Sequence, residues 1–119
     1  MSNLKLPAME YANLRKLALA RPDKFWVPIA YKTWVALVDN RVQIKHHDTV
    51  IATVDSTKVI VTHRGYHSST TANRLNKIVY ANCGFWVGIK NGSLELRFKE
   101  GKSLPLPDGQ VLYTKNAHV

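Results

Sequence analysis

A cluster of side chains that can bind metal or transfer protons lies between positions 46 and 67: His46, His47, Asp48, His63 and His67. Histidine titrates near neutral pH and is the commonest metal ligand. If Asp55-Ser56 is a two-residue hairpin loop, Asp48 lies directly opposite His63. The other side chains have no such reason to converge, because His46 and His47 point to opposite faces of a strand. The spacing therefore favours a structural histidine held by Asp48 over a metal or acid/base site.

Other catalytic signatures are missing from the sequence. No serine lies in a GxSxG motif and no glycine loop matches GxxxxGK. Cys83 is the only cysteine, which excludes an intramolecular disulfide, a zinc site of several thiolates and a CxxC pair. We therefore expect a non-enzymatic protein without a metal or cofactor, folded in a reducing compartment.

Short β-rich runs from Lys32 onward are separated by two-residue turn signals, Asp39-Asn40, Asp55-Ser56 and Asn91-Gly92. This pattern predicts successive hairpins. The first turn pairs Leu37 with Val42 and Val35 with Ile44 on one face, and Trp34 with Lys45 on the other. The third pairs Val87 with Leu96 inward, and Trp86 with Arg97 and Lys90 with Ser93 outward. Each of these two hairpins thus places a tryptophan opposite a basic residue, as a surface that stacks bases and neutralises phosphates requires.

Two helices accompany the hairpins. Near the N-terminus, Pro7 suits a first helical position, and Tyr11, Leu14, Leu17 and Ala18 recur at helical spacing. A second helix is predicted over Thr70–Ala81, with Leu75, Ile78 and Val79 on its apolar stripe and with Asn73, Arg74 and Lys77 mainly exposed. The four consecutive hydroxyl residues Ser68 to Thr71 can accept the first N–H groups of this helix. The hydroxyls of Ser69, Thr70 and Thr71 are expected to cap it, or with Arg74 to bind a phosphate.

The predicted fold is an α+β single domain over residues 1–119. It has an N-terminal helical arm (1–24), then an antiparallel β-sheet of successive hairpins (25–119), with one helix inserted before the C-terminal hairpin. The sheet is expected to have about five to seven strands, with the middle hairpin central and covered on both faces. The last strand, Gln110–Thr114, is expected at an edge, where it can pair with a second chain to form a homo-oligomer.

Charge composition indicates the class of partner. Seventeen Lys and Arg residues against eight Asp and Glu residues give a net charge of +9, which favours nucleic acid or an acidic protein. The chain has neither a secretory signal nor an apolar run of about 18 residues, so we expect no membrane association.

Several motifs occur in a distinctive order: His47-Asp-Thr-Val-Ile51, Gly65-Tyr66, the Thr70-Thr71 helix start with Arg74 and Asn76, and the Asp108-Gly109 turn. Over about residues 40–112 this order resembles a family of small tailed-phage proteins of unknown function. The chain departs from that family in its longer N-terminal helix and in Tyr66-His67, where a Trp-polar pair is commoner. The resemblance implies a phage origin and action in the host cytoplasm, and it carries no catalytic residues.

Three functions are therefore considered. The leading hypothesis is a phage accessory protein that binds nucleic acid through Trp34, Lys45, Arg74, Lys77, Trp86, Lys90, Arg97 and Lys99. The first alternative is an inhibitor of a host protein, such as a defence or transcription component, that uses the same basic surface. The second is a metal-dependent enzyme that uses His47, Asp48, His63 and His67.

Overall fold

The computed structural model describes residues 5–117, which form two helices and nine strands. Along the chain these are α1 (Tyr11–Leu19), β1 (Val27–Ala30), β2 (Thr33–Val38), β3 (Arg41–His46), β4 (Thr49–Val54), β5 (Lys58–Val61), α2 (Ser69–Cys83), β6 (Trp86–Lys90), β7 (Ser93–Arg97), β8 (Ser103–Pro105) and β9 (Gln110–Tyr113). All strand pairs are antiparallel. The predicted α+β class, with a helix at the N-terminus and another before the C-terminal hairpin, is confirmed.

The strands divide between two sheets, whereas the sequence predicted one. A six-stranded sheet has the order β1-β2-β3-β4-β5-β9, and a three-stranded sheet has the order β6-β7-β8. The physical reason is that β9 occupies the free edge of β5. The position next to β5 is thus taken, and the C-terminal hairpin pairs with β8 in a sheet of its own.

The first and third hairpins have the predicted registers. Trp34 pairs with Lys45 across the Asp39-Asn40 turn, and Trp86 pairs with Arg97 across the Asn91-Gly92 turn. Asp39 and Asn40 have φ of 51° and 63°. Both residues are thus left-handed, the conformation that a two-residue turn between twisted strands requires.

The middle hairpin is shifted from its predicted register. Val54 pairs with Val59, so the two-residue loop is Ser56-Thr57 rather than Asp55-Ser56. The cause is the Asp55 carboxylate, whose Oδ1 accepts the backbone N–H groups of Thr57 and Lys58 at 2.8 and 2.9 Å. An aspartate that accepts bonds from the following turn belongs before the loop and not inside it.

Helix α2 is longer than predicted at both ends. Its N-cap is Ser68, the first of the four hydroxyl residues that the sequence predicts at the helix start, and its Oγ accepts the Thr71 N–H at 3.3 Å. Ser69, Thr70 and Thr71 lie inside the helix, so the capping expected of these three is wrong. Gly84 ends the helix with φ of 82°, a conformation that glycine adopts without strain. The predicted stripe of Leu75, Ile78 and Val79 is fully buried.

Helix α1 begins at Tyr11, so Pro7 lies before the helix and not at its first position. Its buried residues, Leu14 and Ala18, belong to the same hydrophobic cluster as α2 and one face of the six-stranded sheet. Asn82 of α2 fastens the two helices together, because its Oδ1 accepts the Tyr11 N–H at 3.0 Å. Both helices therefore lie on one face of this sheet, which we call the inner face.

Strand β9 lies at the edge of the six-stranded sheet, as predicted. Pairing of this edge with a second chain stays a prediction. No helix within residues 5–117 is long and apolar enough to cross a lipid bilayer.

Candidate nucleic-acid interface

The face of the six-stranded sheet opposite the helices is called the outer face here. Strand alternation places there Pro28, Trp34, Ala36, Val38, Arg41, Gln43, Lys45, Val50, Thr53, Lys58, Ile60, Val111 and Tyr113. Neither described helix packs on it, since the buried residues of α1 and α2 belong to the core on the inner face. The cover expected on both faces of the middle hairpin is therefore present on one face only among residues 5–117.

An aromatic and basic cluster lies at the β1–β3 end of the outer face. The Lys45 ammonium nitrogen is 4.4 Å from the ring centroid of Trp26 and 5.1 Å from that of Trp34. Both distances are within the range of a cation–π interaction. Phe25, which is 62% exposed, meets the Trp26 ring edge-on at a centroid distance of 5.3 Å. We call Phe25, Trp26, Trp34 and Lys45 the indole–lysine cluster.

Trp26 was not among the residues selected from the sequence. The structure brings it beside Trp34, because Pro28 pairs with Trp34 and a residue two positions before Pro28 lies on the same side of the extended chain. It was missed because Trp26 precedes the first turn signal, whereas the hairpin patterns began at Lys32.

The rest of the outer face is basic and apolar. The Arg41 guanidinium lies 3.7 Å from the Asp55 carboxylate, whereas Lys58 has no ion pair among the described residues. Although partial burial opposes it, hydrogen bonds from Thr57 and Lys58 hold the pKa of Asp55 below its ordinary value. The far edge exposes Val111 and Tyr113, the latter 62% exposed. Cations and aromatic rings thus extend from one edge strand to the other.

The second predicted tryptophan site has the right register but a different geometry. Trp86 stacks on Tyr80 of α2, with ring centroids 5.4 Å apart and an interplanar angle of 27°. Arg97 turns away to the Glu95 carboxylate at 2.7 Å and to the Ile89 carbonyl at 3.1 Å. The guanidinium lies across Gly88, where a Cβ atom would be 2.2 Å from its central carbon. A cation–π contact between Trp86 and Arg97 does not form.

Arg74 was predicted to be exposed, and this is wrong. Its residue is 3% exposed, and its guanidinium donates to the Thr33 hydroxyl at 2.7 Å, the Tyr31 carbonyl at 2.7 Å and the Thr70 carbonyl at 3.0 Å. Burial lowers the pKa of Arg74 from its ordinary value. This side chain connects α2 to the β1–β2 turn and is buried, so it is not available to a ligand on the surface.

The remaining predicted cations are exposed but lie apart from the outer face. Lys77 is on α2, Lys90 ends β6, and Lys99 lies in the turn between β7 and β8. Helix α2 packs on the inner face, and the second sheet contacts α2 through β6. The eight predicted residues therefore do not form one surface: Trp34 and Lys45 share the outer face, and Trp86, Lys90 and Arg97 belong to the second sheet.

The histidine cluster does not converge on one point. With the observed register Asp48 is not opposite His63, which instead contacts the Leu106 carbonyl through Nε2 at 2.7 Å and the Gly65 N–H through Nδ1 at 3.0 Å. His67 accepts the Leu94 N–H at 2.9 Å. Among residues 5–117 no three His, Cys, Asp or Glu side chains are placed to hold a metal ion. The ring nitrogens of His63 and His67 thus bind backbone groups of the loops and of β7.

His46 and His47 lie beside a cavity of about 350 Å³ at the start of α2, and their ring centroids are 4.2 Å apart. The His46 nitrogens meet the Lys32 carbonyl at 3.2 Å and the Thr70 hydroxyl at 3.4 Å. Burial lowers the pKa of His46 below its ordinary value, with the charge of Arg74 acting in the same direction. The ring is therefore neutral at pH 7 and belongs to the internal hydrogen-bond network.

Cys83 does not have the environment of a nucleophile. Burial raises the pKa of its thiol to about 11, against the small opposite effect of Lys115. A buried thiol that is protonated at neutral pH is chemically inert. Its position near the end of α2, in the hydrophobic cluster, gives it a packing role.

The fold and the surface define a small α+β protein with a basic and aromatic sheet face on which neither described helix packs. A family model described as Kyanoviridae Gp96 protein matches residues 9–113. The chain therefore belongs to this phage protein family, in agreement with the resemblance found in the sequence. No curated protein and no solved structure matched the chain.

Proposed function

We propose that this protein is a non-enzymatic phage accessory protein that binds nucleic acid through its outer face in the host cytoplasm. The observation that carries the proposal is the indole–lysine cluster, in which Lys45 lies 4.4 and 5.1 Å from two tryptophan rings on a sheet face without a covering helix. Aromatic rings beside a cation supply the two interactions that nucleic acid offers at every nucleotide, base stacking and phosphate neutralisation.

Charge supports this class of ligand. The chain carries a net charge of +9, which attracts a polyanion over a distance of about one Debye length. Among the described residues, the Asp55 carboxylate lies 3.7 Å from Arg41 and also interacts with the charge of Lys58, which is beyond ion-pair distance. Lys45 and Lys58 are available to phosphates, and they lie on strands β3 and β5 of one continuous sheet.

The test uses a fluorescent 30-nucleotide oligonucleotide that contains both a duplex stem and a single-stranded arm. Binding is followed by fluorescence anisotropy between 50 and 300 mM salt. We expect affinity to fall with salt with a log–log slope of about −2 to −3, as roughly three phosphate contacts require. Lys45→Glu should weaken binding by about tenfold.

The matched control is Lys99→Glu, which makes the same charge change in the β7–β8 turn, away from the outer face. It should weaken binding by less than about twofold, because a distant exposed charge is screened. Equal losses in both variants would show that the net charge and not the outer face attracts the ligand. No binding at 50 mM salt would remove the proposal, and a nuclease-resistant complex with a host protein would favour the acidic-partner alternative.

A further inference from the structure

We infer that the outer face takes single-stranded nucleic acid in preference to duplex. The inference rests on the proposed function and narrows its ligand. The indole–lysine cluster offers aromatic rings and a cation as contacts. Trp26 and Trp34 are half-buried rings beside a cation on a sheet face, and Phe25 adds an exposed ring at 5.3 Å from Trp26. Such rings stack on the flat face of a base, and in a duplex those faces are covered by neighbouring base pairs.

The dimensions of the surface lead to the same conclusion. Six paired strands place β1 and β9 about 24 Å apart, at about 4.8 Å between neighbours. The major groove of B-form DNA is about 12 Å wide and admits a helix or a two-stranded ribbon. The outer face is too broad to enter it, and no described helix projects from this face to do so. A duplex would therefore meet this surface through its phosphates alone.

The outer face has too few cations to bind a duplex tightly through phosphate contacts alone. The outer face has three cationic side chains, and Arg41 is partly neutralised by Asp55. A duplex carries one negative charge for about every 1.7 Å of its axis, so these cations neutralise a small part of the charge beneath them. A single strand needs fewer cations for the same contact length, because stacking supplies the remaining affinity.

Lys45 couples the two interactions. Its ammonium group now lies over the Trp26 and Trp34 rings. A phosphate of the bound nucleic acid can draw this ammonium group away from the rings. Both indoles are then open to stacking by bases. Binding of a single strand should therefore quench tryptophan fluorescence, since a stacked base contacts the ring directly.

The experiment compares a 12-nucleotide single strand, as DNA and as RNA, with the 12-base-pair duplex of the same sequence at 100 mM salt. We expect at least one of the single strands to bind about tenfold more tightly than duplex and to quench tryptophan emission. That ratio corresponds to about 1.4 kcal/mol. Equal or tighter binding of the duplex would overturn the inference and leave the proposed function standing. Failure of every oligonucleotide to bind would overturn both.

Two further measurements separate stacking from charge. A 12-mer of abasic sites keeps the phosphates but lacks bases, and with wild-type protein it should lose at least about tenfold in affinity. Unchanged affinity for the abasic strand would overturn the inference without any variant. Trp34→Leu should lower the affinity for the single strand by a similar factor. Trp86→Leu, which removes an indole from the second sheet, should lower it by less than twofold. Equal losses of affinity in the two variants would place the stacking surface elsewhere.

Discussion

The guanidinium of Arg74, on helix α2, donates a 2.7 Å hydrogen bond to the hydroxyl of Thr33, on strand β2. The same guanidinium satisfies the carbonyl oxygens of Tyr31 and Thr70. A basic side chain in the middle of a polar helix segment is thus an internal connection between the helix and the sheet, and not a contact for a ligand. All buried side-chain nitrogen and oxygen atoms in residues 5–117 have such partners.

Replacement of Arg74 should therefore lower the stability of the protein and leave the outer face unchanged. Arg74→Leu removes three charge-assisted hydrogen bonds, two of which join α2 to the β1–β2 turn, so we expect the free energy of unfolding to fall by about 2–4 kcal/mol. Urea unfolding followed by circular dichroism measures this. Lys77→Leu on the exposed side of the same helix is the matched control, with an expected change within about 0.5 kcal/mol. Equal effects of the two substitutions would contradict the burial of Arg74.

Asn82 should control the attachment of the N-terminal helix. Its side chain accepts the Tyr11 N–H and donates to the Met9 carbonyl at 2.9 Å, at a site where Asn82 itself is buried. Asn82→Ala should lower the free energy of unfolding by about 2–3 kcal/mol, since two buried backbone groups lose their partners. Limited proteolysis should then cut faster within residues 5–20.

Asn73→Ala provides the comparison for Asn82→Ala, because Asn73 is exposed on the same helix. Its stability should change by less than about 0.5 kcal/mol and its proteolysis should match the wild type. If Asn82→Ala left the cleavage rate within residues 5–20 unchanged, the amide would not be what holds α1 against α2.

Stability should fall as the pH falls below about 6.5, because of His46. Burial, reinforced by the charge of Arg74, holds the pKa of His46 below its ordinary value of 6.5 in the folded protein. In the unfolded chain the ring takes up a proton near pH 6.5, so between this pH and the folded pKa the unfolded state binds more protons. The free energy of unfolding should therefore decrease with falling pH, by at most about 1.4 kcal/mol per pH unit from this one group.

Urea unfolding at pH 7.5 and 5.5 tests this dependence. His46→Gln should reduce the loss between the two pH values, since an amide does not titrate. His47→Gln removes the smallest contribution to the shift, the neighbouring His47 charge, so most of the wild-type dependence should remain. The same loss in His46→Gln as in wild type would assign the pH dependence to another group.

Local turn chemistry made much of the fold predictable. Asp39-Asn40 and Asn91-Gly92 are residues that tolerate positive φ, and a two-residue turn determines the register of every pair that follows. The pairs Trp34–Lys45 and Trp86–Arg97 were therefore correct. Asp55 misled the prediction because aspartate serves equally well inside a turn and immediately before one, where its carboxylate accepts the turn amides.

Only half of the candidate site could be predicted. Strand register gives the cross-strand partner of each residue, but it does not give the other groups that its side chain contacts. Trp34 and Lys45 are in contact as expected, since neither helix within residues 5–117 covers that face. The side chains of Arg97 and Trp86 are not in contact. Arg97 binds the Glu95 carboxylate, and Trp86 stacks on Tyr80. The carboxylate lies two residues from Arg97, and the phenol ring comes from a different element.

By itself, the amino-acid sequence determined the fold class, the first and third hairpins and the apolar stripe of α2, because these depend on short-range backbone preferences and on spacing. Only the tertiary structure decided that β9 closes the edge of β5, that the strands form two sheets and that Arg74 is buried. Arg74 shares its side of the helix with Thr71 and Ile78, at the border of the apolar stripe. Whether such a border residue faces water or a partner depends on the element packed against it, and that element, the β1–β2 turn, is about 40 residues away in the chain.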